Sequence, residues 1–168
     1  MSDIDKIAYG PGRIPLPDAC RNWPRLEAAG LSADPDPAER IAEACRDAAA
    51  RAASHLAGSE MLAVVVPDRT RPMPLERYLP ALLQALTEVE VPPRRIALVP
   101  ASGIHRPMPL DELSGWVGDT AAASGIELVP HDADQPGLPL GTTASGIPVA
   151  AHPHCVHAGA VLSLGRIV

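Results

Sequence analysis

Phenylalanine is absent from this chain, and only two tryptophans and two tyrosines stand in its place. Without aromatic platforms there is nothing for nucleobases to stack on. A formal net charge of −6 also leaves no basic stripe for phosphates, so nucleic acid is excluded as a partner class. Lysine is almost missing: Lys6, near the start, is the only one. Schiff-base chemistry, or a cofactor tethered through lysine, therefore has almost no candidate residue. Cys20, Cys45 and Cys155 are odd in number and show no CxxC spacing, which implies neither a disulfide framework nor a zinc knuckle. No apolar run approaches the ~20 residues of a membrane span. The opening MSDIDKIAYG lacks the basic start and apolar centre of a signal peptide, so a cytoplasmic location is expected.

What is present suits a globular protein. At 168 residues and 46% hydrophobic content, one domain spanning residues 1–168 with a real core is expected. The chain is organised around Met61 to Pro74, MLAVVVPDRTRPMP. Its valine-rich run reads as a strand buried on both faces, as in a parallel sheet. In open α/β sheets ligands bind at the carboxyl ends of such strands. Asp68, Arg69, Thr70 and Arg71 would stand there, stiffened by Pro67, Pro72 and Pro74. Arginines at 69 and 71 can grip a planar anion with two parallel hydrogen bonds.

Along the chain, Ile4 to Tyr9 and Arg13 to Leu16 read as extended pieces joined by a Gly10-Pro11-Gly12 turn. Pro17 to Asp34 shows no clear period and reads as a covering loop. Asp36-Pro37-Ala38-Glu39 is a helix start, with Ile41, Cys45, Ala48, Ala52 and Leu56 marking one face and Gly58 as its stop. Leu75, Leu79, Leu82 and Leu86 repeat at helical spacing. Pro80 interrupts them, predicting a short turn first and the main helix from about Pro80. Arg95 to Pro100 is a second buried strand, leading into Ala101-Ser102-Gly103-Ile104-His105-Arg106-Pro107. Leu110 to Val117 reads as a helix with Asp111 and Glu112 in its first turn. Gly125 to Val129 is a third strand ending at His131-Asp132. Gly141 to Gly146 is rich in turn residues, Ile147 to Ala151 is extended, and Val161 to Leu164 is a final strand. This alternation predicts an α/β fold, a Rossmann-like, mostly parallel sheet flanked by helices, preceded by a short N-terminal β segment.

Two successive strands thus end in the polar loops DRTRP and SGIHRP. If they are neighbours, Asp68, Arg71, His105 and Arg106 share one crevice. Histidine transfers protons near neutral pH, and an arginine opposite can hold a carboxylate or phosphate. A plainer reading stays open, in which Asp68 and Arg71 cap the following turn and pair with each other. His131-Asp132 either adds to the same edge or forms an Asx turn. The HPHCVH segment, with His152, His154, Cys155 and His157, has the residue types of a soft-metal site. Pro153 and the uneven spacing spoil a regular presentation, so no metal ligand is expected there. No Walker loop and no strand-linked GxGxxG occurs.

The D-x-T-R-P loop (Asp68, Thr70, Arg71, Pro72) followed by G-x-H-R-P (Gly103, His105, Arg106, Pro107) resembles the N-terminal domain of the LarA-type lactate racemase family. Ala8-Tyr9-Gly10, His131-Asp132, Leu140-Gly141-Thr142, Gly146-Ile147-Pro148-Val149 and Leu164-Gly165-Arg166-Ile167 extend the likeness, in order, over nearly the whole chain. The resemblance implies racemisation of a 2-hydroxy acid with a nickel-pincer nucleotide derived from nicotinic acid. That cofactor would accept a hydride while a histidine removes the hydroxyl proton. It further implies His105 as one of two acid/base histidines, with Asp68, Thr70, Arg71 and Arg106 lining the cofactor and substrate pocket. The family's second histidine, tethering lysine, nickel-ligating histidine and C-terminal domain would lie beyond Val168, and Lys6 does not occupy the tether's place. The lone chain is therefore expected to be inactive. Three readings remain open: half of a racemase completed by a separate chain carrying the C-terminal domain, a module that binds a small carboxylate without turnover, and an inactive fragment.

Overall fold

The structure, a computed structural model, describes residues 6–9, 11–15, 17–18, 36–58, 60–71 and 73–165. The chain divides into two compact units, Met1–Pro35 and Asp36–Val168. In the first, β1 (Lys6–Tyr9) pairs antiparallel with β2 (Gly12–Pro15), Tyr9 opposite Gly12, in keeping with the two extended pieces expected around a Gly-Pro-Gly turn. Apart from Pro17 and Asp18, the segment expected as a covering loop lies outside the described residues, as do Gly10, Cys20, Pro72, Arg166 and Ile167.

The second unit opens with α1 (Pro37–Ser54). Asp36 caps it by accepting from the Glu39 amide at 3.0 Å, and Pro37, which has no amide proton to lose, occupies the first turn. Its buried face is Cys45, Ala49 and Ala52, small residues that let it pack closely on the next helix. The helix ends at His55 rather than running to Gly58.

Next come β3 (Leu62–Pro67) and α2 (Leu75–Glu88). The expected break before Pro80 does not occur: Pro80 lies inside one continuous helix. An interior proline costs about 3 kcal/mol. Leu75 and Leu79, both with no exposed surface, anchor the turns before it, and each buried leucine contributes about 1.5–3 kcal/mol. Packing outweighs the lost hydrogen bond.

A 3-10 turn at Pro93–Arg95 leads into β4 (Ile96–Ala101), followed by α3 (Leu110–Val117), α4 (Asp119–Ala122) and the short β5 (Glu127–Leu128). A hairpin of β6 (Leu138–Thr142) and β7 (Pro148–Ala151), irregular between Pro139 and Gly141, forms a two-stranded sheet of its own. Turn residues alone do not reveal β6. Its partner lies across a loop closed by the Thr143 amide on the Ile147 carbonyl at 2.8 Å. The chain then makes α5 (Pro153–His157) and β8 (Ala160–Ser163). Pro153, expected to spoil a regular presentation, sits in the first turn of α5, where a proline costs nothing.

The main sheet is parallel, ordered β5-β4-β3-β8, with β3 and β4 as its two inner strands. Leu62, Val64, Val66, Ile96 and Leu98 meet Leu75, Leu79, Leu82, Leu86 and Leu113 in the core. Helix α2 contacts α1, α3 and α4, which makes one connected layer. This is an α/β fold with a four-stranded parallel sheet flanked by helices, as the alternation predicts. No helix among the described residues is long and apolar enough to cross a membrane.

Candidate active site

Strands β3 and β4 run in register from Leu62 opposite Ile96 to Pro67 opposite Ala101. They therefore end level, and the DRTRP and SGIHRP loops leave from adjacent points on one edge.

Each loop is shaped by its own residues. The Asp68 carbonyl accepts from the Arg71 amide at 3.0 Å, closing a turn, while Asp68 Oδ1 accepts from the Thr70 amide at 3.0 Å and the Thr70 hydroxyl at 2.6 Å. In the other loop the His105 amide donates to the Ser102 carbonyl at 2.9 Å, and Gly103 takes φ +54°, a left-handed conformation that glycine adopts without penalty. Each turn thus holds one side chain, Asp68 in the first and His105 in the second, at a defined place.

These turns bring Asp68 and His105 together. Asp68 is only 4% exposed, and its Oδ2 lies 2.6 Å from His105 Nδ1. A carboxylate can only accept, so the imidazole proton resides on Nδ1 and the lone pair of the neutral ring on Nε2. Burial alone pushes the Asp68 carboxyl upward. Hydrogen bonds from the Thr70 hydroxyl, from His105 and from the Thr70 amide outweigh it and hold the group below the usual carboxylate range. A buried, ionised carboxylate thus orients a histidine whose ring is about half exposed, with 47% of the side chain open. That arrangement makes Nε2 a proton acceptor for something at the edge of the sheet.

Three arginines surround the dyad, and the structure separates them. Arg69 and Arg106 both bind Glu112 in the first turn of α3; Arg106 spans its two oxygens at 2.9 and 3.0 Å. The Arg106 guanidinium, opposed by partial burial but joined by Arg69, holds the Glu112 carboxyl below its ordinary value. One turn later, Trp116 Nε1 donates to the Pro67 carbonyl at 3.2 Å. Helix α3 therefore fastens both loops at once. Arg71 is exposed, and its side chain has no hydrogen-bond or ion-pair partner among the described residues. The pairing of Asp68 with Arg71 that the sequence left open does not form: Asp68 turns to Thr70 and His105.

Of the residues singled out in the sequence, Asp68, Thr70, Arg71 and His105 stand at the dyad or on its loops with no charged partner from α3, whereas Arg106 is taken by Glu112. Local pattern marks Glu112 only as a favourable first-turn acid. Its contact to Arg69 crosses 43 residues, a distance that no local pattern reports. The buried hydroxyl of Ser102, with no hydrogen-bond partner among the described residues, carries no signal in the sequence either. His131-Asp132 takes the Asx-turn reading, Asp132 Oδ1 accepting from the Asp134 amide at 3.0 Å. A hollow of about 540 Å³ beside Met61, Glu90 and Arg94 is at the amino-terminal end of the strands and away from this chemistry.

A family model described as the lactate racemase N-terminal domain matches residues 10–168. The chain belongs to that family. In fold it is similar to the lactate racemase apoprotein from Thermoanaerobacterium thermosaccharolyticum, at 22% sequence identity and a TM-score of 0.52. The likeness covers 71% of this chain and 31% of that one, so the chain spans under a third of the solved racemase's length. No curated protein matches it. As a lactate racemase N-terminal domain, the chain carries its DRTRP and SGIHRP loops on the adjoining ends of β3 and β4, where the dyad forms.

Proposed function

We propose that this chain supplies the proton-transfer part of a racemase or epimerase acting on a small 2-hydroxy acid. His105 Nε2 takes the proton of the substrate's C2 hydroxyl, and Asp68 fixes the ring and stabilises the imidazolium that forms. Arg71 is the cation left for the substrate carboxylate, since Arg69 and Arg106 are held by Glu112. A positioned base of this kind contributes typically about 10²–10⁴ in rate. The observation that carries the reading is the 2.6 Å bond from a buried carboxylate to His105 Nδ1. A module that merely binds a carboxylate needs the arginine and gains nothing from a histidine held in one tautomer.

Asp68, Thr70 and Arg71 would line one side of the nickel-pincer nucleotide that the resemblance implies, without supplying its metal ligands. No group of three His, Cys, Asp or Glu among the described residues is placed to hold a metal ion. The single lysine, Lys6, belongs to β1. When bound, that cofactor would supply the hydride acceptor, with its metal ligands coming from a further domain or chain.

Two measurements test the reading. Titrating the chain with L-lactate should move the His105 ring and Arg71 guanidinium signals in NMR spectra, with a dissociation constant on the order of millimolar. Racemisation should be absent with the lone chain and appear on co-expression with a C-terminal racemase domain, then vanish on His105→Ala. Turnover by the lone chain, or full activity of the His105→Ala complex, would overturn the proposal.

A further inference from the structure

A second cavity, of about 450 Å³, opens beyond the end of β5, between the loop that follows it, the β6–β7 hairpin and the start of α5. It shares only Gly103 with the loops of the dyad, and its wall is mostly apolar, with Pro130 and Pro136 among its residues. Its polar side chains are Asp132, Gln135 and a row of imidazoles. His131 and His152 have ring centroids 5.6 Å apart, and His152 and His154 are 5.4 Å apart. No lysine or arginine among the described residues lines the space.

The hydrogen bonds leave this row underused. His152 Nδ1 accepts from the His154 amide at 3.3 Å, which puts the ring proton on Nε2, where no protein partner is found among the described residues. His154 Nε2 faces Glu127 of β5 at 3.3 Å, while its Nδ1 is buried with no partner among the described residues. Asp132, the one carboxylate in the described wall, is turned to the Asp134 amide. Cys155, next along α5, is a thiol that burial pushes upward and keeps uncharged. Burial, then the neighbouring His154 and His131, hold His152 below the usual histidine value. Burial and its two neighbours thus disfavour a proton on His152, the middle ring of the row. An anion among the rings would remove that penalty.

We propose that this cavity binds the three-oxygen anionic head of a small molecule, a phosphate monoester, against the imidazole row centred on His152, with the apolar part of the ligand against Pro130 and Pro136. The Nε2–H of His152 and the flanking His131 ring would meet the oxygens of this head, and charged hydrogen bonds of this type are the strong ones. The volume lies within the ~300–1,000 Å³ of small-molecule sites. The inference is independent of the dyad.

The test uses the whole chain, with phenyl phosphate, benzenesulfonate and benzoate as probes, followed by NMR of the imidazoles and by calorimetry in two buffers of different ionisation heat. Phenyl phosphate should move the ring signals of His131, His152 and His154 and leave His105 in place. Benzenesulfonate stays ionised throughout, so its affinity, falling about tenfold or more from about pH 6 to about pH 8 with net proton uptake, reports the protein's own protons. Benzoate should bind more weakly than either. His152→Asn, which keeps a capping oxygen for α5, and His131→Gln should each weaken phenyl phosphate at least about tenfold while the circular dichroism spectrum is unchanged. Ring signals unmoved at ~10 mM probe, binding indifferent to pH, equal affinity for benzoate, or unaltered affinity in both folded variants would each overturn the proposal.

Discussion

Asp68 Oδ2 and His105 Nδ1 lie 2.6 Å apart across 37 residues of sequence because Pro67 and Ala101, the residues that end their strands, are partners in the β3–β4 register. The dyad is therefore a property of the sheet edge as much as of either loop. A slip of one residue in the register would move the loops apart by one strand step and separate the pair.

Removing the charge of Asp68 should change the histidine tautomer before anything else. In the intact chain, nitrogen spectra of the His105 ring should show the proton on Nδ1. In Asp68→Asn, the amide can donate instead, and a population with the proton on Nε2 should appear. Activity in the completed racemase should fall by about 10²–10⁴. An unchanged tautomer would remove the orienting role given to Asp68.

Acid sensitivity follows from the same carboxylate. The folded-state pKa of Asp68 is depressed below its unfolded value of about 3.9. Its contribution to stability is therefore fully present above that value and is lost as pH falls through the folded one. Glu112 is shifted in the same direction by Arg106 and Arg69 and acts in the corresponding acid window. Urea midpoints measured from neutral pH downward should fall less steeply in Asp68→Asn than in the parent chain, although the variant is the less stable of the two at neutral pH.

The Thr70 hydroxyl can be tested by size-matched replacement. Thr70→Val removes the 2.6 Å bond to Asp68 Oδ1 and should cost about 1 kcal/mol, a value kept low because Thr70 is exposed. Thr70→Ser keeps the bond and should unfold close to the parent midpoint.

Two glycines should respond in opposite senses. Gly103 sits at φ +54°, so Gly103→Ala should destabilise by about 1 kcal/mol despite open space at its Cβ. Gly115 lies on the exposed side of α3, and a methyl group added there would meet nothing within 4 Å. Gly115→Ala should therefore stabilise by about 0.5–1 kcal/mol. Thermal melts of the two variants moving in the same direction would contradict this account of the His105 loop.

The arginines should also separate. Arg71→Ala should abolish the binding of L-lactate to the chain, whereas Arg106→Ala should weaken it less, because the Arg106 guanidinium is occupied by Glu112. Equal losses in calorimetry would mean that Glu112 releases its arginines to the ligand.

Much of this is legible in the residues. Buried strands announce themselves as continuous apolar runs, and the cap of α1 at Asp36 follows from a short polar side chain reaching an amide three residues on. Both are local, and local pattern is what a sequence carries openly. The loops DRTRP and SGIHRP are equally visible, as is the possibility that they meet. Pro80 misleads, since a proline's local cost is plain while the burial of Leu75 and Leu79 that offsets it depends on the rest of the core. Only the tertiary structure decided which charges answer which. It gave Asp68 to His105, Arg69 and Arg106 to Glu112, and left Arg71 toward solvent. It also assembled His131, His152 and His154 from two separated segments into one wall. Side-chain pairing depends on strand order and helix placement, and these are settled by packing over distances that no window of sequence spans.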